Sequence, residues 1–210
     1  VSFPTEPFNR EFTIATEIPK GNVALFWPTT DGREIRRARR LNLLGEVFSD
    51  RLRLKVREEL GDAYSPGVGS AASDIYPGFG YMQASVTVDP PRAKQVADII
   101  VQIAADIAAK GVSDDELERA KKPVLTSLRE SARTNPYWLS AVLARAQERP
   151  EVLEWSRTRY ADNEAITKEE IGELAQRYLA EDRASRVTVF PTPKAQGTPA
   201  AASPTAQAVK

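Results

Sequence analysis

The stretch YMQASVTVD, residues 81–89, decides the fold class, because apolar and more polar side chains alternate along its whole length. The apolar positions are Met82, Ala84, Val86 and Val88. The intervening positions are Tyr81, Gln83, Ser85 and Thr87. A period of two residues is typical of a β-strand, whose successive side chains point to opposite faces of a sheet. The stretch therefore predicts a strand with one face in the core and one semi-polar, accessible face.

Other stretches of the chain also have the composition of strands. They are residues 11–18, 21–28, 65–76 and 185–191. EFTIATEI (11–18) is rich in β-branched residues, and only Pro19 and Lys20 separate it from GNVALFWP (21–28). Two such runs joined by so short a connection predict a hairpin of antiparallel strands.

Helical periodicity occupies most of the remaining sequence. A long helix is predicted over residues 34–60, and Gly61 is the expected stop, since a glycine suits the residue that follows a helix. Further helices are predicted over residues 92–110, 113–134, 135–147, 150–160 and 168–180. Two of them begin with capping boxes, SDDE (113–116) and TKEE (167–170).

The order of these elements predicts an α+β domain with two layers, in which helices pack on one face of a largely antiparallel sheet. The other face of the sheet is then left for solvent or a partner. We expect residues 1–191 to form this single domain. Residues 192–210 are rich in Ala, Pro, Thr and Gln and lack aromatic residues, so they predict a flexible tail.

Composition excludes several kinds of catalytic site. The 210 residues include 29 basic and 29 acidic side chains, but no histidine and no cysteine. A Ser-His-Asp triad is therefore impossible, and a zinc site in this chain is not expected. The zero net charge gives no reason to expect nucleic acid as a partner. No apolar run approaches 18 residues, so no membrane span is predicted.

Two short motifs have functional interpretations that the surrounding sequence disfavours. GVGSAA (67–72) matches a dinucleotide-binding loop, but that loop needs a strand before it and a helix after it. Its small residues instead predict a strand that another backbone approaches closely. REIRRARR (33–40) is the densest basic run and predicts a solvated helix face, with a nucleic-acid patch as the alternative.

Arg57 and Tyr64 lie on either side of Gly61 in the stretch VREELGDAYSP (56–66). In a structural interpretation, Arg57 neutralises the end of the helix and Tyr64 packs at the start of the next strand. In a functional interpretation, the chain reverses at Gly61 and brings the guanidinium and the phenol together. Both groups are hydrogen-bond donors, and such a pair suits the binding of a carbonyl oxygen or an oxyanion.

The stretch LRLKVREELGDAYSPGVGS (52–70) resembles the signature of the second, non-zinc half of the insulinase, pitrilysin and processing-peptidase family. GVSDDELERAKKPVL (111–125) and ITKEEIGELAQRYL (166–179) are similar to later parts of the same domain. Within this family, PYWL (136–139) and GREIRRARRLNLL (32–44) look most like the large bacterial zinc proteases whose exported forms act in the periplasm. This resemblance implies a periplasmic location.

The resemblance implies a zinc metallopeptidase in which homologous domains enclose a chamber. Zn²⁺ and a glutamate base are supplied by a His-x-x-Glu-His motif in an N-terminal half, on the same polypeptide or a separate subunit. This chain contributes substrate binding: by motif position, Arg57 and Tyr64 contact the peptide substrate near the scissile carbonyl, with Tyr64 as the candidate oxyanion stabiliser. The alternative is a catalytically inactive homologue that serves in assembly, as in the core subunits of respiratory complexes.

Overall fold

The computed structural model describes residues 1–61 and 65–192, which form a five-stranded sheet with helices on one side. The strands are β1 (Asn9–Ile14), β2 (Gly21–Pro28), β3 (Pro66–Ala72), β4 (Gly80–Val88) and β5 (Ser185–Pro191). The α-helices are α1 (Ile35–Leu60), α2 (Ala93–Lys110), α3 (Asp114–Ser131), α4 (Ala144–Ala146), α5 (Glu151–Glu164) and α6 (Lys168–Tyr178). A π-helix, Tyr137–Leu143, leads directly into α4.

The strand order across the sheet is β1-β5-β2-β4-β3. The pairs β2–β4, β2–β5 and β3–β4 are antiparallel, whereas β1 and β5 are parallel. This largely antiparallel sheet with its helices confirms the predicted α+β class. None of the helices within the described ranges is long and apolar enough to cross a membrane.

The predicted hairpin of residues 11–18 and 21–28 is wrong. β1 ends at Ile14 and pairs in parallel with β5, where Phe12 lies beside Val189. A strand has two hydrogen-bonding edges, and those of β2 are taken by β4 and β5. Every residue of β2 is buried or half-buried, while every residue of β1 is exposed. The long apolar strands therefore occupy the centre of the sheet, and β1 is left at its edge.

The core forms where the inner faces of β2 and β4 meet α1. Trp27 lies directly opposite Met82 in the register of the two strands, and both side chains are fully buried. The ring of Trp27 also packs edge-on against Phe48 of α1, at 5.7 Å between centroids. The four apolar positions of residues 81–89 are fully buried, while the intervening positions are half-buried or exposed. The alternation in this stretch is thus confirmed.

The helical layer is locked by Arg51 of α1. Its guanidinium donates to both carboxylate oxygens of Glu116, at 2.6 and 2.9 Å, and to the carbonyl oxygen of Gly111, at 2.9 Å. Glu116 also accepts hydrogen bonds from the backbone N–H and the hydroxyl of Ser113, each at 2.9 Å. The predicted capping box is therefore present, and it additionally ties the turn between α2 and α3 to α1.

The sequence predicted that α1 stops at Gly61 and that another backbone approaches the strand at residues 67–72, and a glycine in α1 or at its C-cap is involved in each feature. α1 ends at Gly61, whose φ of 82° is the left-handed conformation that glycine tolerates best. α1 also approaches β3 closely, but through Gly45: a β-carbon there would lie 3.6 Å from the Cα of Gly69. Gly67 and Gly69 themselves have open space around such a carbon. GVGSAA is thus a strand followed by a turn and β4, which is not the context of a nucleotide loop.

We expect acid to remove part of the stability of the domain through Glu116. Hydrogen bonds from Arg51, outweighing burial, lower the pKa of Glu116 from 4.5 to about 2. The ionised carboxylate stabilises the folded state at every pH above 4.5, the pKa of the unfolded state. This stabilisation is lost as the pH falls from 4.5 towards 2. Glu116→Gln should therefore lower the free energy of unfolding by up to about 3 kcal/mol at pH 7.

The difference between wild type and Glu116→Gln should shrink towards pH 2, as measured by urea unfolding over a pH series. Glu118→Gln is the matched control, because Glu118 lies on the same helix with its side chain 72% exposed. A constant difference between pH 7 and pH 2 would contradict the role of the ionised carboxylate.

Gly80→Ala should destabilise the sheet, whereas Gly67→Ala should not. A β-carbon at residue 80 would collide with the backbone carbonyl oxygen of Thr30, while one at residue 67 meets no atom within 4 Å. We expect a loss of about 2 kcal/mol or more for Gly80→Ala, from steric strain. Gly67→Ala should be neutral or stabilise by up to about 1 kcal/mol. The measurement is the thermal unfolding temperature of each variant relative to wild type. Equal changes in the two variants would contradict the contact described for residue 80.

Candidate functional site

The face of the sheet opposite the helices is partly open. Its central part carries the half-buried Phe26 and Gln83, which lie opposite each other in β2 and β4. At the β1 edge, Phe12 is 50% exposed and Ile14 is 52% exposed. The opposite face of β2 and β4 is buried in the core, so this surface is the one that the sheet offers to a partner or a ligand.

An aromatic cluster covers one end of this open face. Phe3 stacks on Phe79 at 4.8 Å between ring centroids, and Tyr81 contacts Phe3 edge-on at 6.0 Å. Phe26 adds a further edge-on contact with Tyr81 at 5.9 Å. The sequence did not reveal this cluster. The alternation in β4 placed Tyr81 on the accessible face, but the contact with Phe3 joins residues far apart in the chain.

Arg57 lies in the last turn of α1, and its side chain is exposed. Its backbone carbonyl accepts the hydrogen bond of the Gly61 N–H at 3.1 Å, which ends the helix. Tyr64 belongs to residues 62–64, which lie outside the described residues. The chain resumes at Ser65 and enters β3 at Pro66. The convergence of the Arg57 and Tyr64 side chains therefore stays a prediction.

A groove of about 1010 Å³ runs between the second half of α1 and α2, on the helical side of the domain. Leu54, with its side chain 43% exposed, and the buried Ile99 and Ile103 supply apolar surface, and charges of both signs surround them. Arg57 is not among the residues that line this groove. This groove is thus on the opposite side of the domain from the open face of the sheet.

The sequence predicted a solvated helix face at residues 33–40, and this holds only in part: Arg33 and Arg36 are exposed, but the end of the run is buried. Arg39 and Arg40 are only 8% and 7% exposed, and both donate to Asp162, at 2.9 and 3.1 Å. Arg36 joins the same carboxylate at 3.2 Å, and Arg40 also pairs with Glu170 at 2.8 Å. The network holds the start of α1 against α5 and α6, so these charges serve packing between helices.

The arginines of this network lower the pKa of Asp162. Burial by itself would raise the pKa of this carboxyl, but the hydrogen bonds from Arg39 and Arg40 outweigh burial and lower it. Asp162 therefore stays ionised inside the helical layer. No local pattern could have revealed the network, because the acceptor lies 122 residues from Arg40.

The residues of this chain do not fit a zinc site. There is no histidine or cysteine in the sequence. Within the ranges 1–61 and 65–192, no group of three or more His, Cys, Asp or Glu side chains is placed to hold a metal ion. Tetrahedral zinc sites in proteins draw on these side chains.

Comparison with known proteins gives this fold its family. The sequence profile described as the peptidase M16 inactive domain matches residues 2–124. The chloroplastic stromal processing peptidase of Pisum sativum is 29% identical over 99 residues, which are 47% of this chain and 8% of that enzyme. The chain therefore spans a small part of the curated relatives that it matches.

Two solved structures share the fold at low sequence identity. The peptidase M16 inactive domain from Pseudomonas fluorescens has a TM-score of 0.72 at 18% identity, over 91% of this chain and 46% of that one. The periplasmic protease PqqL from Escherichia coli has a TM-score of 0.68 at 18% identity, over 88% of this chain and 21% of that one.

The five-stranded sheet with its helical layer is the fold that this chain shares with the peptidase M16 inactive domain from Pseudomonas fluorescens. The chain belongs to the peptidase M16 inactive-domain family. It corresponds to the C-terminal half of these proteins, which confirms the resemblance carried by residues 52–70.

Proposed function

We propose that this chain is the substrate-binding, non-catalytic half of a zinc metalloendopeptidase that cleaves peptides inside a closed chamber. The observation that carries the proposal is the match to the inactive M16 domain over residues 2–124, in a chain without histidine. Zn²⁺ and the glutamate base would come from an N-terminal half, on the same polypeptide or a separate subunit. This chain's own residues would bind and orient the substrate.

The open face of the sheet is the surface that we expect to line the chamber. It has apolar side chains such as Phe12 and Phe26, which suit contact with the side chains of an extended peptide. On the helical side, the Arg51–Glu116 and Asp162 networks are internal to the domain. A peptide held on the open face would need hydrogen-bond donors at the rim of the sheet.

Arg57 and Tyr64 are the donors that we assign to this role. Arg57 projects from the last turn of α1, immediately before the connection that carries Tyr64 into β3. An arginine guanidinium carries fixed N–H donors and would hold a substrate carbonyl oxygen. The Tyr64 hydroxyl would donate to the oxygen that becomes negative as the scissile carbonyl is attacked. Neither residue would act as the base.

The test of these roles is the kinetics of Tyr64→Phe and Arg57→Gln in the assembled enzyme. Loss of one donor to the developing oxyanion should lower kcat by about 100- to 1000-fold for Tyr64→Phe. Arg57→Gln should raise KM for peptides, because it would remove a contact present in the bound substrate. Arg53→Gln is the matched control, one turn earlier on α1, with an exposed side chain that pairs with Asp50. Full kcat in Tyr64→Phe would exclude the oxyanion role.

A second candidate function is a structural subunit that has no part in proteolysis. A structural subunit would have the same fold and would likewise lack metal ligands. Only a measurement of peptidase activity therefore distinguishes the two functions. We expect this chain to have no peptidase activity alone, and to support chelator-sensitive peptide cleavage when combined with the half that carries His-x-x-Glu-His. Cleavage by this chain alone would contradict the division of roles. A stable complex without cleavage would favour the structural subunit.

A further inference from the structure

A second cavity, of about 320 Å³, lies inside the helical layer and is distinct from the open face of the sheet. Its walls come from α1, α3, α5, the π-helix and α4, and no strand contributes to it. The aromatic walls are Tyr137 and Trp155, and aliphatic side chains such as Val142 and Val152 complete the apolar surface. A volume of this size is at the lower end of the range for small-molecule sites.

The charge of this cavity is entirely positive. Among the residues that the structure describes, the charged side chains that line it are Arg39, Arg145 and Arg159. Arg39 is paired with Asp162 at 2.9 Å, and Arg145 with Asp74 at 2.6 Å. Among the described residues, Arg159 has no carboxylate within ion-pair distance.

Arg159 is held in place by neutral groups. One of its terminal nitrogens, Nη2, donates to the carbonyl oxygen of Leu128 at 2.6 Å and to the hydroxyl of Ser131 at 3.0 Å. Its guanidinium carbon lies 3.7 Å from the centre of the Tyr137 ring, so the planar group stacks on the aromatic wall. Across the described ranges, Nε and Nη1 have no protein acceptor. A half-buried, fixed cation with two spare donors is suited to an anion.

The π-helix places its side chains around the same cavity. Tyr137, Ala141 and Val142 all line it, although Trp138, Leu139 and Leu143 of the same segment are exposed. π-helical segments are rare and occur frequently at functional sites. The unusual backbone therefore coincides with the cavity that contains the uncompensated arginine.

We propose that this cavity binds a carboxylate that is attached to an aromatic or apolar group. The carboxylate would accept hydrogen bonds from Nε and Nη1 of Arg159, and the apolar group would lie against Trp155 and the aliphatic walls. Such a ligand is either a small free acid or the C-terminus of a peptide. The site is separate from the proposed Arg57 and Tyr64 contacts, so it does not depend on the peptidase function.

Titration calorimetry of the full 210-residue chain tests the proposal with two pairs of probes. The first pair is 3-phenylpropionate and its primary amide; the second is N-acetyl-Gly-Gly-Phe and its C-terminal amide. At least one acid should bind about tenfold or more tightly than its amide, because a charged hydrogen bond is lost in the amide. The acid that shows this preference identifies the source of the carboxylate. Equal binding of acid and amide in both pairs, or no binding of any probe, would overturn the proposal.

Two variants locate the binding site. Arg159→Gln should weaken binding of the preferred acid by about tenfold or more, through loss of the charged donors. Arg157→Gln should leave it unchanged, since Arg157 lies two residues away on the same helix and its exposed side chain is directed to Glu154. An equal effect of the two substitutions would contradict the site.

Ala141→Phe fills the cavity but keeps Arg159. It therefore tests the site even if Arg159→Gln fails to fold. Ala141 is an exposed lining residue, and a larger side chain there should be tolerated by the fold. Binding of the acid should be lost while the thermal unfolding temperature stays within a few degrees of wild type. Unchanged binding in this variant would place the ligand elsewhere and overturn the proposal.

Discussion

The pairing of β2 with β4 is the interaction on which the rest of this structure depends. It brings Trp27 beside Met82 and presents one continuous apolar surface, on which α1 packs through Phe48. Because side chains alternate along both strands, burial of this surface forces the intervening residues to the opposite face. The open face of the sheet is therefore a direct consequence of the core, and a shift of one residue in the register would exchange the two faces.

Two networks of ion pairs then hold the helices in position relative to one another. Arg51 joins α1 to the turn before α3 through Glu116, and Asp162 gathers the arginines at the start of α1. Both networks are largely shielded from water, and their carboxylates have lowered pKa values. These two networks are internal to the domain, whereas the open face of the sheet and the exposed Arg57 at the end of α1 are accessible from outside it.

The fold class could be predicted from the sequence because its signals are local. The period of two in residues 81–89, the capping box at Ser113 and the stop at Gly61 each depend on a few adjacent residues, and each is confirmed. The hairpin was wrong because competition between strands for the edges of β2 is a property of the whole sheet. For the candidate site, the family resemblance predicted Arg57 and Tyr64, and of these two residues the structure describes Arg57.

By itself, the sequence determined the α+β class, the absence of histidine and cysteine, and the membership in a peptidase family through its Arg-Glu-Glu-Leu-Gly motif. Only the tertiary structure decided that β1 lies beside β5 and that Arg39 and Arg40 are buried. It also decided that Arg159 faces a cavity where no carboxylate of residues 1–61 or 65–192 pairs with it. The physical reason is the distance along the chain over which each interaction acts. Propensity, capping and alternation act within one or two turns of chain, whereas ion pairs and cavities form between side chains that only the packed fold brings together.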